Sequence, residues 1–185
     1  GTPHHFRLNA PSSMAHTSYT ILLILAALCA LGSVRATTAP GAAVAVTADT
    51  EATITYTDGA QLVITVDADA DVTLSAVASA SGTLPTGCTA LDFGVSVGYS
   101  LAVSAGTVTS AVLTTPALTS AASGTLTGGV TATALRYDAT ATAYTQVDNT
   151  FNGDDTYTLD IGVGSDYVFV SIDAGTPTPT LFGEA

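Results

Sequence analysis

Strict two-residue alternation runs through residues 42–74, and it commits the chain to β-structure. In residues 42–56 the even positions read Ala42, Val44, Val46, Ala48, Thr50, Ala52, Ile54 and Tyr56. The odd positions read Ala43, Ala45, Thr47, Asp49, Glu51, Thr53 and Thr55. A strand sends successive side chains to opposite faces, so one face here is apolar and the other is small or polar. One strand of this length would extend about 50 Å at ~3.3 Å per residue, far beyond a usual strand, so a break is expected near 49–51. Asp58-Gly59 then sits between two alternating runs, a two-residue hairpin signal. Residues 62–74 keep their parity, with Leu62, Ile64, Val66, Ala68, Ala70, Val72 and Leu74 on one side. Val63, Thr65, Asp67, Asp69, Asp71 and Thr73 lie on the other.

Further strands are expected at 99–104, 107–114, 130–137, 143–147, 156–161 and 167–172. The last, "YVFVSI", is apolar on both faces and should be central in its sheet. Gly, Pro, Asn and Asp punctuate the gaps, and no helical period follows residue 36. Many short strands divided by turn signals point to an all-β, antiparallel β-sandwich.

The expected organisation starts with an upstream or non-native segment, 1–13. Residues 14–36 read as a cleaved signal peptide: Met14 is the single methionine, "ILLILAALCAL" is too short to span a bilayer, and Val34-Arg35-Ala36 offers a small-residue cleavage site. An extended N-terminal strand follows at 37–50, then the sandwich at 51–174 and a Pro/Thr-rich tail at 175–185. The destination is secretion, to the extracellular space or the cell surface.

Cleavage after Ala36 would remove every His, Cys29, Arg7 and Arg35. The remaining chain would hold fifteen Asp and Glu against Arg136 alone, with no Lys and no Trp. That excludes nucleic acid as a partner, because phosphates are not neutralised by one Arg. An anionic membrane surface is disfavoured for the same reason, and no membrane span is expected in the mature chain. Hydrolysis by a Ser or Cys nucleophile lacks its histidine base, and zinc sites of Cys and His cannot be assembled. A glycosidase needs two carboxyls across a cleft, and sugar clefts rely on aromatic platforms that a chain without Trp supplies poorly. The chain reads as a non-enzyme. Cys88 is either buried as a small apolar residue or joined to another chain.

Two stretches, residues 62–114 and 132–172, together resemble ZU5-like and related immunoglobulin-like modules of secreted and cell-surface proteins. Leu135-Arg136-Tyr137-Asp138 and Tyr144 match a "YRYD…W" strand of those modules, with Tyr in the Trp position. The "PAGAL" that follows their first strand is replaced by "DADAD". The resemblance implies an immunoglobulin-like surface module and brings no catalytic residue.

Three features remain as candidate sites. Asp67, Asp69 and Asp71 form an acidic face if their strand is continuous, about 7 Å apart at ~3.3 Å rise; a solvated face would discourage wrong edge pairing. A bend at Asp69-Ala70 would instead let the carboxylates converge. Asp148, Asn152, Asp154 and Asp155 are oxygen ligands of the kind calcium takes, or plain polar surface. No other cofactor is implied. Ala42, Val44, Val46 and Ala48 carry small inward side chains on a leading strand that suits addition to a neighbour's sheet edge, or else form the domain's own first strand. The function expected first is therefore a structural subunit of an extracellular fibre or pilus-like assembly, a homo-oligomer or polymer. The alternative is a monomeric adhesion or carbohydrate-binding module with a glycan partner. Arg136 is either a partner's anchor or paired within its own domain, and the tyrosines either line a groove or fill the core.

Overall fold

The computed structural model describes residues 35–94, 96–119 and 132–172. They form β1 (Arg35–Thr38), β2 (Ala43–Val46), β3 (Ala52–Tyr56), β4 (Gln61–Val66), β5 (Ala70–Val77), β6 (Cys88–Ala90) and β7 (Gly98–Val103). After these come β8 (Val108–Thr114), β9 (Ala132–Asp138), β10 (Ala143–Val147), β11 (Asn149–Phe151), β12 (Tyr157–Asp160) and β13 (Asp166–Ile172). One sheet has the order β1-β3-β4-β8-β12-β11. The other has the order β10-β9-β13-β7-β5-β2, with β6 pairing β13 off this path. All neighbours are antiparallel except β1 and β3.

The expected all-β sandwich is what forms, and alternation explains it. Ile54, Leu62, Ile64 and Leu113 of the first sheet and Val72, Leu74, Leu101 and Phe169 of the second are buried in a single core between the sheets. The break expected near 49–51 is present: β2 and β3 lie in different sheets, and Asp49 takes a positive φ of 55° between them. The Asp58-Gly59 hairpin also forms, with Tyr56 N donating to Ala60 O at 2.8 Å.

The run 62–74 differs from expectation. It keeps parity but not continuity: β4 ends at Val66 in one sheet and β5 starts at Ala70 in the other. The chain bends at Asp67-Ala68-Asp69, so the apolar side stays inward while the backbone changes sheet. Three strands were not anticipated: β1, β6 and β11, each of three or four residues. The signal-peptide boundary expected after Ala36 would fall inside β1.

β13 lies between β9 and β7, and its apolar character on both faces has a clear cause. Tyr167 and Phe169 enter the main core. Val168 and Val170 face the other way, where Leu135 and Tyr144 join them in a second cluster covered by Val77, Ala80, Leu84, Cys88 and Val97. The first part of the segment between β5 and β7, from Ala80 to Cys88, is thus a lid on the outer face of the second sheet, while Leu91 and Phe93 farther along enter the main core. Gly98, opposite Val168 in the β7–β13 ladder, allows that close pairing: a Cβ there would collide with the Tyr167 carbonyl.

Candidate functional site

Four connections cross between the sheets at one end of the sandwich: β2–β3, β4–β5, β7–β8 and β12–β13. They stack side by side as arches, and hydrogen bonds run from each to the next. Asp49 N donates to Val66 O at 2.8 Å, Asp67 N to Thr107 O at 3.1 Å, and Gly164 N to Leu101 O at 3.0 Å.

The acidic triplet belongs to the second arch. Asp69 Oδ1 accepts the Ala48 N–H at 2.8 Å from the first arch. Asp67 faces the third arch, accepting the Thr107 N–H at 2.6 Å and the Thr107 hydroxyl at 2.5 Å. The Thr107 hydroxyl, then its backbone N–H, holds the Asp67 carboxyl below the usual carboxylate range. Asp71 contributes its backbone, with its N–H donated to Ser104 Oγ at 2.8 Å. The expectation of a continuous acidic face guarding an edge is therefore corrected. The face is bent, two of its carboxylates bond backbone groups, and neither β4 nor β5 is an edge strand. Gly106, at φ 69°, completes this corner, since a Cβ there would run into the Asp67 carboxylate and Ala68.

Asp148, Asn152, Asp154 and Asp155 lie on and beside the β11–β12 hairpin, and their polar atoms are used locally. Asn152 Nδ2 donates to Thr156 Oγ1 at 2.9 Å and to Thr158 Oγ1 at 3.0 Å. Asp154 Oδ1 accepts the Thr156 hydroxyl at 2.6 Å, which draws its carboxyl below the ordinary range. Asp155 takes φ 61° and gives its carbonyl to Leu118 N at 3.0 Å. Among the described residues no three His, Cys, Asp or Glu side chains gather as a metal-holding group. The calcium expectation finds no assembled ligand set here.

The leading strand has a defined seat. β2 pairs antiparallel with β5, placing Val44 opposite Val72 and Val46 opposite Ala70. Ala42, Val44, Val46 and Ala48 all turn inward as their parity requires, yet only Val46 is buried. β1 lies parallel to β3 on the other sheet. Residues 35–46 thus supply the outermost strand of both sheets on the same side.

A groove of about 570 Å³ opens between the β7–β8 and β12–β13 arches, lined by Thr107, Thr109, Ser110, Asp160, Gly162 and the half-exposed Val163 among others. β12 pairs with β8 only over Val112 to Thr114, so the start of β8 has a strand on one side only. Sequence reading missed this groove, because it follows from where two strands part rather than from any motif.

Arg136 is exposed on β9. Asp138 accepts the Ala141 and Thr140 backbone N–H groups, and these, with a smaller contribution from Arg136, lower its carboxyl. Five tyrosines, Tyr56, Tyr99, Tyr144, Tyr157 and Tyr167, are buried, so packing rather than a ligand groove accounts for them. Among the described residues no helix is long and apolar enough to cross a membrane. The fold and its arches define a two-sheet β-sandwich. No family model, no curated protein and no solved structure matches the chain.

Proposed function

We propose that this chain is a structural subunit of an extracellular fibre or surface assembly, joined by its N-terminal strand. The observation that carries this reading is the double edge role of residues 35–46. Removing them uncovers β3 and β5 together. Ile54, Tyr56, Val72 and Leu74 on those strands are all at most 2% exposed, so a vacated edge strongly favours a replacement strand. The segment that fills it is short and small-sided, and it carries no charge from Ala36 to Ala48. A second copy's segment fits the same seat with the same contacts. The arch at Asp49 is the hinge about which the segment would leave its own domain and enter a neighbour's.

The test uses a chain starting at Thr50 together with a synthetic peptide of residues 36–49. Strand addition predicts saturable binding of the peptide, and oligomers or filaments of the longer protein that grow with concentration. Identical monomers from both proteins, with no filaments by electron microscopy and no peptide binding, would refute it.

The alternative, a monomeric carbohydrate-binding module, draws its support from the hydroxyl-rich groove beside Thr109, Ser110 and Asp160. Glycan-array binding lost in Asp160→Ala with folding intact would favour it.

A further inference from the structure

The two lateral sides of the sandwich carry what edge strands normally avoid. Natural edges are blunted by Lys, Pro or inward charges, because a bare edge pairs with whatever strand it meets. In this chain fifteen residues are Asp or Glu. Yet β10 reads AYTQV, β11 reads NTF and β2 reads AVAV, with no charge in any of them. One carboxylate, Asp148, stands between β10 and β11. β11 also presents Phe151, 53% exposed, one of two large hydrophobic side chains left open among the described residues.

The two sides also match in direction. Following the antiparallel ladder β2-β5-β7-β13-β9-β10, β10 runs opposite to β2. A copy placed beside the first without rotation therefore meets β10 with an antiparallel β2, the more stable pairing. Their lengths agree, five residues against four. In an acidic chain, self-association is opposed by charge everywhere except where charge is missing. The uncharged β10 and β2 lie where such a stack needs them, whereas β1, the edge of the other sheet on the N-terminal side, begins with Arg35.

We propose that the β10 edge of one copy receives the N-terminal side of a second copy, β10 pairing with β2, so that the sheet β10-β9-β13-β7-β5-β2 continues from subunit to subunit. The contact is heterologous and does not close on itself, so it builds an open-ended stack. It rests on the assembly reading in taking a second copy as the partner. It adds the surface that receives that copy.

The test is cross-linking in a Cys29→Ser/Cys88→Ser background with a short bis-maleimide. Thr145 and Ala45 are exposed on β10 and β2. The Thr145→Cys/Ala45→Cys protein should give a ladder of dimers, trimers and higher species, and each single variant should not. Phe151→Asp and Thr145→Asp, in the chain without added cysteines, should raise the concentration needed for assembly at least tenfold. Dimers from Thr145→Cys alone would mean a closed two-fold edge contact and would overturn the stack. Strand exchange is read separately by Ala45→Cys/Asp71→Cys, since Ala45 and Asp71 face each other in the β2–β5 register. Links between chains there, without a Thr145/Ala45 ladder, would keep strand exchange and sink edge stacking. Absence of any assembly by light scattering would sink both.

Discussion

Tyr99 on β7 donates its hydroxyl to the Asp58 carboxylate, 2.7 Å away in the β3–β4 turn, and so ties the two sheets together at the end opposite the arches. The same carboxylate caps its own turn by accepting the Ala60 N–H at 3.0 Å. A hydrogen bond to a charged group contributes about 1.5–3 kcal/mol, so Tyr99→Phe should lower unfolding stability by that amount in urea titration. Asp58→Ala should cost more, because it also frees the turn.

The buried phenols set the response to alkali. Burial, and then the nearby Asp58 charge, pushes Tyr56 up to about 12. Burial first, and the Asp58 hydrogen bond second, raises Tyr99 as well. In the unfolded chain a tyrosine ionises near about 10. Above that pH only the unfolded chain readily gives up these protons. The stabilisation is therefore complete below about pH 10 and is lost as pH rises toward 12. The melting temperature should be flat from pH 7 to 9 and fall as pH rises through about 10 toward 12. Tyrosinate absorbance of Tyr56 and Tyr99 should appear only with unfolding; a normal titration of both in the folded protein would contradict the burial.

The arch corner responds to acid and to size. Asp67 is held below the usual carboxylate range, so its contribution is present above the unfolded value of about 3.9 and is lost as pH falls through the lower folded value. Asp67→Asn should lower the melting temperature at pH 7, and the gap from the parent should close as pH falls below the ordinary carboxylate range. Gly106→Ala forces a side chain into a left-handed backbone, a cost of about 1–2 kcal/mol before its contact with Asp67 and Ala68 is counted. In an Asp67→Ala background the clash with the carboxylate is relieved while that with Ala68 remains, so the glycine substitution should cost less there than in the parent.

Much of this architecture is legible in the alternation, because side-chain parity survives the bends at Asp49 and at Asp67-Ala68-Asp69. Ile64, Val66, Val72 and Leu74 point inward as the sequence demands although Val66 and Val72 lie in different sheets. What parity cannot show is where the backbone changes sheet. Asp49 marked one crossing through its position in an overlong run. The crossing at Asp67-Ala68-Asp69 was masked by the same Asp/Ala alternation that looked like a strand. The role of Asp67 and Asp69 depends on Thr107 and Ala48, about 40 and 21 positions away. β1 and β11 were hidden for another reason: three or four residues carry too little periodicity to register.

The β11–β12 turn predicts an outcome for calcium. Asn152 and Asp154 bond Thr156 and Thr158 within the hairpin, and a cation would have to break those bonds to gather ligands. Millimolar calcium should give no saturable heat in calorimetry and no change in melting temperature. A one-to-one isotherm abolished by Asp154→Ala would show that the turn reorganises around the ion.

The two faces of β13 allow the two hydrophobic clusters to be separated. Phe169 packs edge-on against Phe93, ring centroids 5.3 Å apart, and also touches Tyr157 at 5.6 Å. Phe169→Ala should therefore cost about 3–5 kcal/mol, a cost typical of a large aromatic lost from a core. Val168, on the opposite face, is covered by the lid that carries Leu84 and Cys88. Leu84 is half-buried, so Leu84→Ala should cost less than the ~2–5 kcal/mol of a fully buried leucine. Its larger effect should be local. Hydrogen exchange at the β6 amides bonded to β13, and proteolysis between β5 and β7, should speed up while the main core stays protected. Equal acceleration across both sheets would mean that the lid and the core unfold as one unit.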